Sequence, residues 1–253
     1  MIATFPTLQR SDPRSDATTP IGRTSVNAGI LLLVMGVISG FSYLFALKGL
    51  VTPGSAVKTA KNISAHEGLF RFGYVGLFLA AVLDVIVAWV LFRFFAPVNR
   101  SLAVIAAWVR TAYATVFVAA ITRLAGVPGL LSHRGNSAGT SALRDQVLHR
   151  IDSFNNIWNA GLILFGAYLL VLAYLALRSG FVPRLVSGLL GIAGISYILD
   201  SVTALSIRAS DTPLSSVSAL GEIVFALWLV IRGRRISMGS GSERGNSVNQ
   251  SSV

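Results

Sequence analysis

The chain has no cysteine among its 253 residues, and only 12% of its residues are charged. The absence of cysteine excludes a disulfide framework, thiolate metal sites and cysteine nucleophiles. An average soluble domain contains about 25% charged residues, so this chain has too few ions to cover a water-facing surface. Hydrophobic residues make up 53% of it, and its mean hydropathy is +0.69. This composition predicts a membrane protein.

The formal net charge of +11 does not indicate a nucleic-acid-binding protein. Binding to nucleic acid needs Lys and Arg concentrated on one solvated face. Here the basic residues alternate with long apolar runs and fall in the tails and connections between them. The predicted partner is therefore the lipid bilayer and not nucleic acid.

Six apolar runs are long enough to cross a bilayer, whose hydrocarbon core of about 30 Å requires roughly 20 residues of helix. In lipid every backbone N–H and C=O must be satisfied within the segment, which favours helices over isolated strands. The sequence therefore predicts an all-α, polytopic membrane bundle of about six transmembrane helices. The six predicted spans are 26–47, 72–95, 102–124, 157–177, 185–207 and 213–231.

Polar segments at both ends of the chain define the predicted domain limits. Residues 1–25 and 237–253 are rich in small polar residues, which predicts disordered tails on either side of a transmembrane domain at 26–236. With the N-terminus inside, eleven arginines lie on the cytoplasmic side and nine Lys or Arg residues lie outside. The two shortest connections and the cluster at 232–235 fall on the inside. We therefore expect both termini to be cytoplasmic.

The two longer external segments are predicted to contain interfacial helices. Ser55–Phe70 can begin at an N-cap serine. In Ser141–Trp158, apolar residues recur at helical spacing along one stripe. The second segment is either an interfacial helix or an extension of the fourth span. The residues of its stripe are Leu143, Val147, Ile151, Phe154 and Trp158.

The two shortest connections have the residues expected at helix ends. In the connection 96–101, Pro97 follows one helix, and Ser101 is the predicted N-cap of the next. In the connection 178–183, Gly180 is the predicted C′ residue. Both connections predict tight hairpins.

Four ionisable residues lie inside the apolar runs: Asp84, Arg110, Asp200 and Glu222. Burying one charge near the bilayer centre costs at least about 2.5 to 3.5 kcal/mol on insertion scales. Asp84 and Glu222 lie near the centres of their spans, and Arg110 lies within side-chain reach of that depth. Because the second and third spans form a hairpin, Asp84 and Arg110 are predicted partners, with Glu222 as a competitor.

Three acids against one arginine leave two carboxyl groups without a cation inside the spans. One or two of them are expected to hold a proton or to face water or a bound cation. Asp84, Arg110, Asp200 and Glu222 are therefore candidate ligand- or proton-binding residues, as in proton-coupled transport. The alternative is a polar packing knot that fixes helix register in a structural or accessory protein.

No pattern in the sequence predicts catalysis. There is no H-E-x-x-H, P-loop or G-x-G-x-x-G motif. His149 with Asp145 and Asp152 is interpreted as a solvated helix face, so we predict no catalytic residue, no metal site and no cofactor. An intramembrane enzyme remains a third alternative, and the ligand and the oligomeric state stay open.

Small residues recur in two spans, where they allow helices to approach closely. Gly36 and Gly40 form a G-x-x-x-G pair, and Gly188, Gly191 and Gly194 follow at helical spacing in the fifth span. Both sets are predicted to pack within the monomer.

Short motifs occur in a fixed order along the chain: Thr52-Pro53-Gly54-Ser55, Lys61-Asn62-Ile63, Leu69-Phe70-Arg71, Pro97-Val98-Asn99-Arg100, the segments 177–184 and 196–201, Gly221-Glu222 and Leu227-Trp228-Leu229. In this order and spacing they resemble the bacterial multi-pass membrane family called domain of unknown function 4386. The resemblance implies an inner-membrane protein with several helices and no established activity, and Asp84, Arg110, Asp200 and Glu222 match family-pattern positions. It also implies a His after Phe-Gly in the fourth span, where this chain has Ala167.

Overall fold

The computed structural model describes residues 20–132, 141–207 and 214–232. The predicted tail 237–253 and residues 1–19 of the predicted tail 1–25 lie outside the described residues. The first helix begins at Pro20, six residues before the predicted span. Proline suits the first turn of a helix because its φ is already helical and its missing N–H would have no helical partner.

The described residues are helical and contain no strand, which confirms the predicted all-α class. Five of the helices are long and apolar enough to cross a membrane. The sixth predicted span coincides with a shorter helix at the end of the described chain. The helices are α1 Pro20–Phe41, which continues as a π-helical segment Ser42–Lys48, α2 Ala56–Ala65, α3 Glu67–Phe95, α4 Arg100–Ala125, α5 Val127–Ser132, α6 Ser141–Ser179, α7 Arg184–Ile207 and α8 Leu214–Arg232.

The two predicted interfacial segments have different structures. In the first, Ser55 caps α2 by accepting a hydrogen bond from the Lys58 N–H at 3.3 Å, and α2 ends before α3 begins. The second is the extension of the fourth span that the sequence allowed, because α6 runs without a break for 39 residues. Its predicted apolar stripe faces inward at Val147, Ile151 and Phe154, which are all buried.

The connection between α3 and α4 corrects one predicted cap. The N-cap of α4 is Asn99, whose Oδ1 accepts a hydrogen bond from the Leu102 N–H at 3.0 Å, and Ser101 is already inside the helix. Asn is as good an N-cap residue as Ser, so composition alone does not choose between them. The other connection contains Gly180 with φ of 71°, in the left-handed conformation expected of a C′ glycine.

The long helices close into a ring. Each packs mainly against two neighbours, in the order α1, α3, α4, α6, α7, α8 and back to α1. The α3–α4 and α6–α7 connections meet at one end of the ring, where the rings of Phe94 and Phe181 are 5.4 Å apart. The first helical segment runs antiparallel to α3, because Gly73 near the start of α3 faces Ala46 and Leu47. The start of α1 therefore lies at this end too, and so does the end of α8, where the Leu229 carbonyl accepts a hydrogen bond from the Ser25 hydroxyl at 3.2 Å. We call it the hairpin end, and the opposite end, with α2 and α5, the loop end.

The outer surface of the ring is apolar. Val37, Trp108 and Leu185 are 71%, 72% and 75% exposed, and many other large hydrophobic side chains of the long helices point outward as well. Monomeric soluble proteins rarely expose apolar surface on this scale. The ring thus has the surface of a polytopic membrane protein.

The predicted glycine contacts are confirmed for one of the two spans. A Cβ at Gly166 of α6 would lie 2.6 Å from the carbonyl oxygen of Gly194 in α7, so these two helices touch backbone to backbone. Among the described side chains, a Cβ at Gly36 or Gly40 would meet nothing within 4 Å, so the predicted packing of this pair stays a prediction.

Candidate functional site

A polar cluster lies at the axis of the ring and takes one side chain from each of the six long helices. Two hydrogen-bonded groups make up this central cluster. The first surrounds the guanidinium of Arg110, and the second joins Tyr197 to Glu222. The six residues are Met35 of α1, Asp84 of α3, Arg110 of α4, Tyr168 of α6, Tyr197 of α7 and Glu222 of α8.

Asp84 and Arg110 form the ion pair that the hairpin predicted. The Nη2 and Nε atoms of Arg110 both donate to Oδ1 of Asp84, at 2.6 and 3.0 Å. The two residues are only 4% and 1% exposed. A buried pair of this kind is stable only if the remaining donors also find partners, because each charge has lost its water.

Arg110 finds those partners on two further helices. Its Nη1 donates to the Tyr168 hydroxyl at 2.8 Å, and its Nη2 reaches the sulfur of Met35 at 3.6 Å. The guanidinium carbon also lies 4.9 Å from the ring centre of Tyr168 and 5.5 Å from that of Phe165. Aromatic faces attract cations most strongly when water is absent. Arg110 therefore links α1, α3, α4 and α6.

Glu222 makes a different kind of contact. Its Oε1 accepts a hydrogen bond from the Tyr197 hydroxyl at 3.1 Å, which joins α7 to α8. Within the described residues no Lys or Arg lies at ion-pair distance from Glu222. Its charge nevertheless acts on Arg110 across the ring. Glu222 thus belongs to the central cluster while Asp84 holds the arginine.

Asp200 lies at the edge of this cluster. It is half-buried on α7, one helical turn beyond Tyr197 toward the loop end. The hydrogen-bond partners of Arg110 are Asp84, Tyr168 and Met35. The structure therefore brings together three of the four predicted residues and places the fourth beside them.

A small void lies between the central cluster and the hairpin end, and neither Asp84 nor Arg110 lines it. It has a volume of about 10 Å³ and borders Tyr168 between α3, α4 and α6. That volume is at the lower limit for one water molecule, so it does not admit an organic ligand. In the part of the chain that the structure describes, no group of three or more His, Asp or Glu side chains could hold a metal ion.

Comparison with known proteins identifies the family. The model of the family described as "Domain of unknown function (DUF4386)" matches residues 27–233. The chain belongs to this family. An uncharacterized protein of Archaeoglobus fulgidus is 30% identical over 166 residues, which are 66% of this chain and 86% of the relative. No solved structure matches.

The family match covers the ring except for the first residues of α1, and it includes all six residues of the central cluster. It confirms the resemblance of the motifs, and the archaeal relative shows that similar proteins are not confined to bacteria. Neither the family description nor the relative assigns an activity to a DUF4386 chain. The chemistry of the central cluster is therefore the basis for a functional proposal.

Sequence reasoning missed three members of the central cluster of this DUF4386 chain: Met35, Tyr168 and Tyr197. A signal was available for the tyrosines, because a buried Tyr hydroxyl usually needs a hydrogen-bond partner. Tyr168 stands one position after Ala167, where the family resemblance implies a His. In this chain Tyr168 supplies the polar atom that α6 presents to Arg110.

Proposed function

We propose that this chain is a polytopic membrane protein that binds and releases a proton at Glu222 as part of transport through the helix ring. The observation that carries the proposal is the division of partners in the central cluster. Asp84 holds the buried Arg110, whereas the direct partner of Glu222 is the neutral hydroxyl of Tyr197. Ionisable residues inside a membrane bundle are costly, and they commonly mark ion and proton pathways.

Protonation of Glu222 would change the forces across the ring. When Glu222 is neutral, Arg110 is attracted by the charge of Asp84 and not by that of Glu222. Ionised Glu222 attracts Arg110 from the other side, and this attraction is strong because the low local dielectric screens charges poorly. The two protonation states of Glu222 therefore favour different separations of α7 and α8 from α3 and α4. Coupled transport requires at least a titratable group whose protonation state favours one arrangement of the helices over another.

We place the protein in the cell membrane, in bacteria the inner membrane, with both termini in the cytoplasm. The support is the distribution of basic residues. Arg93, Arg100, Arg178 and Arg184 flank the two short connections at the hairpin end, and Arg232 ends α8 there. Short basic segments resist translocation and stay inside.

Proton flux measured in liposomes tests the proposal. With an enclosed pH-sensitive dye and an imposed membrane potential, wild-type protein should change the internal pH faster than empty liposomes do. Glu222→Gln should reduce this rate to the leak of empty liposomes, because an amide cannot take up the proton. Glu67→Gln is the matched control and should retain the wild-type rate, since Glu67 lies at the loop end and pairs with Arg71 at the surface.

A Glu222→Gln variant with undiminished proton flux would rule out this role. Equal rates for wild-type protein and empty liposomes, tested with Na⁺ and K⁺ gradients as well, would also refute transport. That second outcome would favour a structural or accessory membrane protein. The observation on that side is the buried Asp84–Arg110 pair, in which the remaining donors of Arg110 are taken up by Tyr168 and Met35.

A further inference from the structure

Acidic side chains are distributed unevenly between the two ends of the ring, whereas basic side chains lie at both ends. Every charged residue described at the hairpin end is an arginine. The described acids lie either at the loop end, as Glu67, Asp145 and Asp152 do, or within the spans. The hairpin end therefore has an unbalanced positive charge. Its arginines are Arg93, Arg100, Arg178, Arg184 and Arg232, all of them exposed.

A cleft opens at this end between the α3–α4 connection and the last turns of α6. Its volume is about 400 Å³. Tyr174 and Leu177 in its wall are half-exposed and lie on the outer, apolar surface of the ring. The guanidinium carbon of Arg178 lies 5.9 Å from the ring centre of Tyr174. The cleft is lined by Val98, Asn99, Tyr174, Leu175, Leu177 and Arg178.

We propose that this cleft binds the phosphate headgroup of an anionic phospholipid. Arg178 supplies a planar set of N–H donors that matches a phosphate, and the exposed arginines around it attract negative charge. Asn99 uses its carbonyl oxygen to cap α4, so the NH₂ group is what its side chain can offer a ligand. Basic pockets between transmembrane helices are typical binding sites for acidic lipid headgroups.

The position of the cleft beside the apolar outer surface of the ring favours a lipid over a soluble phosphate. Tyr174 and Leu177 offer a surface for the first carbons of an acyl chain, next to the headgroup that Arg178 would hold. The volume also exceeds what one phosphate ion needs. This proposal does not depend on proton binding at Glu222, which lies near the middle of the predicted sixth span and not at the hairpin end.

Lipid titration of the full chain in a neutral detergent tests the site. Phosphatidylglycerol should raise the melting temperature more than phosphatidylcholine does. Arg178→Gln should weaken apparent phosphatidylglycerol binding about fivefold, which corresponds to about 1 kcal/mol per basic residue near an anionic headgroup. Arg178→Lys should retain part of the binding, because it keeps the charge and loses only the planar geometry.

Arg123→Gln is the matched control, because Arg123 is an exposed arginine at the other end of α4. It should bind phosphatidylglycerol as wild-type protein does. Unchanged binding by Arg178→Gln would overturn the proposal, as would equal stabilisation by phosphatidylcholine. Inorganic phosphate alone should have no comparable effect, and if it reproduced the shift, the site would bind free phosphate and the lipid assignment would be wrong. Since Arg178 is exposed, its replacement is not expected to prevent folding.

Discussion

Arg110→Met is expected to destabilise the folded chain by about 3 to 5 kcal/mol, because it leaves the Asp84 carboxylate buried without its cation. It also removes the partner of the Tyr168 hydroxyl. The free energy of unfolding in lipid bicelles, obtained by steric trapping, measures this loss. Arg123→Met is the control and should change stability by less than about 0.5 kcal/mol, since Arg123 is exposed.

Replacing both charged residues together distinguishes the stability lost with the ion pair from the stability lost with side-chain packing. The double variant Asp84→Leu with Arg110→Met should recover much of the stability that Arg110→Met loses, because an apolar pair of similar volume has no desolvated charge to compensate. If Arg110→Met alone were as stable as wild-type protein, Asp84 and Arg110 would not form the buried pair that the structure places at the ring axis.

Gly166→Ala is expected to lower stability by about 1 to 3 kcal/mol, as overpacking a close helix contact does. The added methyl would lie 2.6 Å from the Gly194 carbonyl oxygen and 2.7 Å from the side chain of Ile198. The obstacle is backbone, so α6 and α7 must move apart. The melting temperature in detergent, together with the rate of proteolysis between these helices, provides the measurement.

The control for Gly166→Ala is in the neighbouring helix. Gly188 of α7 has open space where its Cβ would lie, so Gly188→Ala should leave stability unchanged or raise it by up to about 1 kcal/mol through better helix propensity. Equal effects of the two substitutions would show that the close contact between α6 and α7 makes no measurable contribution to the effect of Gly166→Ala.

Local patterns in the sequence were enough to predict the helices and the Asp84–Arg110 pair. Length and hydropathy define a span, and a short connection places two neighbouring spans antiparallel, so residues of similar depth meet. The same reasoning failed at Ser101, because Asn99 is an equally good cap two residues earlier. It also did not decide the structure of 141–158, because an amphipathic stripe fits both an interfacial helix and an extension of the fourth span.

The central cluster could be predicted only in part, because its other members depend on the order of helices around the ring. That order brings Met35 of α1 and Tyr168 of α6 to the same guanidinium, although they are far apart in the sequence. Hydropathy does not distinguish a tyrosine that faces lipid from one that faces the axis. The G-x-x-x-G spacing of Gly36 and Gly40 has the same limit, because it does not show whether that face of α1 packs against another helix.

The central claim is that Glu222 exchanges a proton inside the ring, and infrared difference spectroscopy across a pH titration in lipid tests it most directly. The account predicts a carboxyl C=O band that appears on acidification, is absent from Glu222→Gln and shifts in Tyr197→Phe, where its hydrogen bond is lost. Glu67→Gln should leave that band unchanged. A spectrum with no titrating band that depends on Glu222 would contradict the account and assign the central cluster to helix packing alone.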